Sequence, residues 1–92
     1  MGTAMTTPLE VAEMLSRWRG RSGWRGLVIE VAGLEGHIVI CMTAPGGAEA
    51  ERILPEGCHT LKYQKFVDVL ASQMLHEVLD GLAQRRWAPH LG

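Results

Sequence analysis

Residues 61–84 read LKYQKFVDVLASQMLHEVLDGLAQ, the longest run of the chain with a single clear period. Tyr63, Val67, Leu70, Ala71, Met74, Leu75, Val78 and Leu82 recur at spacings of three and four, which places them on one broad face of an α-helix. Lys65, Asp68, Ser72, His76 and Asp80 fall largely opposite and read as its solvated face. Such a helix cannot hide its stripe alone, so the rest of the chain must supply a sheet, another helix or a second copy to pack against it.

Upstream, from Leu27 to Ala44, the period changes to two. Leu27, Ile29 and Val31 alternate with Val28, Glu30 and Ala32; Gly33-Leu34-Glu35-Gly36 turns the chain; Ile38, Ile40 and Met42 then alternate with His37, Val39 and Cys41. Pairing Ala32 with His37 sets Val31 against Ile38, Ile29 against Ile40 and Leu27 against Met42. All six larger apolar residues then share one side of the hairpin, and a one-residue slip would scatter them. The opposite side, with Val28, Val39 and Cys41 beside Glu30 and His37, is more apolar than a solvated face requires. Cover by the first helix or by another subunit is expected there.

Thr7-Pro8-Leu9-Glu10 combines an N-cap Thr, a Pro at the first helical position and a Glu three residues after the cap, and so starts a helix over Pro8 to Arg19 that Gly20 ends. Val11, Leu15 and Trp18 form its apolar stripe. After the Ala44-Pro45-Gly46-Gly47 turn, Ala48 to Leu54 reads as a third strand at a sheet edge, with Glu49, Glu51 and Arg52 discouraging further pairing. Thr60 is the expected N-cap of the long helix, and Asp80-Gly81 the place where it weakens or ends. The fold class is therefore α+β: helix, three antiparallel strands as a meander, and a long C-terminal amphipathic helix packed on them. This element order is shared with double-stranded-RNA-binding domains, a likeness of order alone. Such domains also need a basic cluster at the second helix start and specific loop contacts, which two lysines do not establish.

The 92 residues hold one core, taken as residues 7–88. Residues 1–6 are set aside as a disordered tail, because Met1 to Ala4 ahead of Met5 looks like a leftover of expression or an upstream start; residues 89–92 form a C-terminal tail. A hydrophobic content of 47% marks a folded chain, and a net charge of -1 opposes self-association only weakly while arguing against strong non-specific nucleic-acid binding. Two cysteines without a pairing pattern point to a reducing cytoplasm. No apolar run is long enough to span a bilayer, so no membrane association is expected, and no secretory signal is read at the N-terminus.

Four groups of residues stand out. Arg17, Trp18, Arg19, Arg21, Trp24 and Arg25 interleave cations with stacking surfaces, which suits single-stranded nucleic acid or a protein interface; the plainer account makes Trp18 core and the arginines solvated. His59, Thr60, Lys62 and Lys65 set cations at a helix start, where they are mildly unfavourable unless an anion binds between them. Val28, Val39 and Cys41 are the candidate dimer interface. Cys58 beside His59 and a helix start is a candidate reactive thiol, although free Cys is more often a small core residue. No metal-ligand spacing joins Cys41, Cys58, His37, His59 and His76, and Arg85-Arg86-Trp87 is accounted for by cations at a helix end. The function expected on these grounds is a small non-catalytic interaction module without cofactor or metal. It pairs with itself as a homodimer and binds another protein. Nucleic-acid binding and thiol chemistry at Cys58 are the alternatives.

Overall fold

The computed structural model of the chain describes residues 6–23 and 25–87, the last six of these in backbone only. Helix α1 covers Pro8–Ser22, strands β1, β2 and β3 cover Val28–Leu34, His37–Thr43 and Glu49–Pro55, and helix α2 covers Gln64–Trp87 after a 3-10 turn at His59–Lys62. The strands form one antiparallel sheet in the order β1-β2-β3. The α+β meander expected from the sequence is the architecture observed.

Thr7 caps α1 as its spacing requires, its Oγ1 accepting the Glu10 backbone N–H at 3.2 Å. The helix does not stop at Arg19. It runs through Gly20 and ends at Gly23, whose φ of 73° is the left-handed cap. Gly20 disfavours the extra turn by about 1 kcal/mol relative to Ala. Against this, Ser22 Oγ donates to the Arg19 carbonyl at 3.0 Å, and Arg21 is anchored across the helix interface to Asp68.

The hairpin pairs differently from the expectation. Ile29 lies opposite Met42, Val31 opposite Ile40, Gly33 opposite Ile38 and Leu34 opposite His37. Each partner is displaced by two residues, an even number, so the apolar set stays on one side while the loop shrinks to Glu35-Gly36. Both loop residues have positive φ, 46° and 81°, as a two-residue type I′ turn requires, and that turn matches the natural strand twist. The third strand is an edge, as read.

Both helices lie on the same side of the sheet, α1 over β1 and α2 over β3 and β2. Ile38, Ile40, Met42 and Ala50 from the sheet close against Val11, Leu15 and Trp18 of α1 and Val67, Ala71, Met74 and Val78 of α2, with Leu27 and Leu61 sealing the ends. The first helix therefore does not cover the other side of the hairpin. Thr6, assigned to the tail from sequence, is buried at the start of α1.

The long helix departs from its reading at both ends. Thr60 is not its cap: the chain passes through the 3-10 turn, and Phe66 and Val67 N–H both bond to the Tyr63 carbonyl, so the α-period begins only there. Tyr63 falls outside that period and is 60% exposed rather than part of the core. Gly81 does not end the helix. It lies where α2 crosses the β2–β3 turn, and a Cβ there would make ordinary contact with that of Ala48, at 3.4 Å. Asp68 and Ser72 are half-buried at the helix–helix seam instead of solvated, and the Leu82 side chain is outside the described residues.

A non-Gly residue held at positive φ is strained by about 1 to 3 kcal/mol, and Asn tolerates that region best among the alternatives. Glu35→Asn should therefore raise unfolding stability by about 1 kcal/mol and Glu35→Val should lower it. Urea titration checks this, and unchanged midpoints in both variants would contradict the turn.

Candidate functional site

The side of the sheet away from the helices is bare among the described residues. Its rows follow from the register: Leu34, His37 and Pro55 nearest the hairpin turn, then Ala32, Val39 and Ile53, then Glu30, Cys41 and Glu51, and last Val28, Thr43 and Glu49. The half near the turn carries no carboxylate and exposes Leu34 and Ile53 by 61% and 59%. The other half holds three carboxylates, Glu30, Glu49 and Glu51. Val39 and Cys41, both half-buried, and Val28, exposed, do share this side as read, but Val28 sits in the acidic half, three rows from Leu34.

The Arg/Trp segment does not form one surface. Trp18 is buried, and its Nε1–H donates to Ser72 Oγ at 3.3 Å, so the side chain belongs to the core and offers no face for stacking. Arg21 Nη2 lies 2.7 Å from both carboxylate oxygens of Asp68. Arg17 reaches Gln64 Oε1 at 3.4 Å, while Arg19 and Arg25 are exposed. Trp24 lies outside the described residues.

The seam between the helices is polar and built around Gln64 and Asp68. Gln64 Nε2 donates to the Met14 carbonyl and to Asp68 Oδ1, each at 2.8 Å, and so ties the start of α2 to the middle of α1. Burial pushes the Asp68 carboxyl up, but hydrogen bonds from Gln64 and Arg21 and the charge of Arg21 outweigh it and hold the group below its ordinary value.

The residues grouped as an anion site are divided. His59, Thr60 and Lys62 belong to the 3-10 turn, and of the four only Lys65 lies in the first turn of α2. Cys58 Sγ lies 3.1 Å from Thr60 Oγ1, and the two cysteines are unpaired. Among the described residues no cluster of His, Cys, Asp or Glu is arranged to hold a metal, and no helix is long and apolar enough to cross a membrane.

One surface was missed from sequence. Tyr63, Phe66 and Val69 are 60%, 51% and 51% exposed, and Leu54, Leu61, Phe66, Val69, Leu70 and Gln73 line an apolar groove of about 180 Å³ between β3 and α2. Its signal was present: Phe66 and Val69 are large apolar residues that the stripe of the long helix leaves out. Comparison of the chain with protein-family models, with curated proteins and with solved structures returns no match.

Because the Asp68 carboxyl is depressed in the folded chain, its ionised form stabilises the fold above the unfolded-state value, near pH 4, and that contribution disappears as pH falls through the folded value. The urea midpoint of the wild type should exceed that of Asp68→Asn at pH 7, and the gap should narrow progressively as the pH falls below the unfolded-state value and through the folded one. High salt should narrow it at neutral pH as well, since the Arg21 side chain is 61% exposed. A gap that is constant across the range would remove Asp68 from the seam's energetics.

Proposed function

We infer that the protein is a small non-catalytic interaction module that self-associates through the bare side of its sheet and presents its remaining surfaces to another protein. The observation that supports this reading is the division of that side into a largely apolar half without carboxylates near the hairpin turn and an acidic half at the other end. Two copies facing each other about a two-fold axis that crosses the strands over the apolar half bury Leu34, Ala32, Val39 and Ile53 against their own counterparts. The carboxylates of the two copies then project from opposite ends into water. An axis parallel to the strands would instead lay acid on acid, which is disfavoured.

The size of the face sets the strength. Seven residues at about 3.3 Å each, across three strands about 4.8 Å apart, make a face of roughly 300 Å² in projection. A pair that overlaps only over the apolar half covers roughly 150 Å² per copy in projection, well under a standard interface, so the association is weak and transient. Nucleic-acid binding through the Arg/Trp segment has less support, since Trp18 is buried and Arg21 is paired.

Light scattering between about 1 and 100 μM should show a monomer–dimer equilibrium. Leu34→Lys with Val39→Lys should abolish it, while Val28→Lys in the acidic half should leave it intact. A mass that stays monomeric over the whole range would refute the dimer. A salt-sensitive gel shift with single- or double-stranded RNA or DNA would favour the nucleic-acid reading instead.

A further inference from the structure

The two edges of the sheet differ in what lies beside them, and β3 has both an edge that no strand pairs among the described residues and an apolar groove. The backbone bonds that flank the β2–β3 pair, Ala44 N–H to the Ala48 carbonyl at 2.9 Å and Glu56 N–H to the Gly36 carbonyl at 2.9 Å, fix the parity of the ladder. By that parity Ala50, Arg52 and Leu54 turn their N–H and C=O groups to β2. Glu49, Glu51 and Ile53 turn theirs to the open edge. The side chains divide in the same way: Leu54 points to the helix side, beside the groove with Phe66, Val69 and Leu70, while Glu49, Glu51 and Ile53 point to the bare side.

We propose that this edge takes an extended segment of a partner protein as a fourth strand, with apolar side chains alternating with Lys or Arg. Backbone bonding to Glu49, Glu51 and Ile53 gives the segment its place. Its apolar residues enter the groove between β3 and α2, and the intervening cations lie across from Glu49 and Glu51, where opposite charges on neighbouring strands attract. The same carboxylates disfavour a second copy of the chain in the register that aligns them. Antiparallel self-pairing centred on Glu51 sets that residue against its own counterpart, and pairing with a β1 edge brings in Glu30.

Arg52 restrains the edge meanwhile. Its Nη1 donates to the Glu51 carbonyl at 2.9 Å, and its guanidinium pairs with Glu77 on α2. One edge acceptor is thereby covered until a strand with the right side chains displaces the arginine, which keeps indiscriminate pairing low. The proposal rests on the reading of the chain as an interaction module but not on its dimerisation.

The test pans the full chain against phage displaying random twelve-residue peptides and measures the binding of synthesised winners by fluorescence anisotropy. The expected winners alternate apolar and basic residues. Their Kd should rise roughly tenfold or more for Glu49→Lys with Glu51→Lys, given two reversed cross-strand pairs. It should rise also for Val69→Asp, and on N-methylation of every second peptide amide in one of the two frames. Peptides with Glu in place of their basic residues should bind the Lys variant better than the wild type. Circular dichroism verifies that the variants, all at exposed positions, remain folded. No enrichment over bare support, winners without alternation, or binding indifferent to the Glu49/Glu51 reversal would overturn the proposal. The Leu34→Lys, Val39→Lys variant separates the two readings: light scattering reports the dimer, while peptide affinity there should match the wild type.

Discussion

Gln64 sits where the 3-10 turn gives way to the long helix, and its side-chain amide reaches fifty residues back to the Met14 carbonyl. That contact, with Asp68 held by Arg21 and Ser72 held by Trp18, locks the two helices side by side. Once they are side by side, a three-stranded sheet can satisfy both only by offering them the same face. Among the described residues the other face is then left without cover. The single-sided core, the open sheet surface and the groove along β3 all descend from this seam.

The seam also explains why polar residues appear within the packed layer. Trp18, Gln64, Asp68 and Ser72 are half-buried or buried, yet each has a partner, so the contact between helices carries geometric specification as well as apolar area. An all-apolar seam would let the helices slide along each other. Directional bonds to one backbone carbonyl and one carboxylate do not.

Much of the architecture was legible in the residues. The switch from a period of two at Leu27 to Ala44 to a period near 3.6 after Tyr63 separates sheet from helix, and the Thr7-Pro8-Glu10 start is read directly. Less legible was whatever depends on partners distant in sequence. Asp68 and Ser72 look solvated because only the α1 side chains they meet reveal otherwise; Gly20 looks like a terminator until Arg21 is seen to be anchored. The Arg/Trp segment dispersed for the same reason, with Trp18 drawn to Ser72 and Arg21 to Asp68. Phe66 and Val69 escape a reading by period because a helical wheel records the stripe and has no place for an apolar residue outside it. The bare side of the sheet was half read: its apolar character is in the sequence, but the row order that separates Leu34, Val39 and Ile53 from the carboxylates needs the true register.

That register has a kinetic side. Shifting the β1–β2 pairing by two residues preserves which side chains face the helices, so burial does not distinguish the native hairpin from one closed by a four-residue loop at Gly33 to Gly36. The discrimination falls to the Glu35-Gly36 turn, in which one residue is strained, together with the seat of β1 on α1, where Gly33 meets Pro8 and Leu27 is buried. A chain collapsing onto its helices therefore meets two hairpins with the same sidedness, and the competition between them is a source of local frustration late in folding.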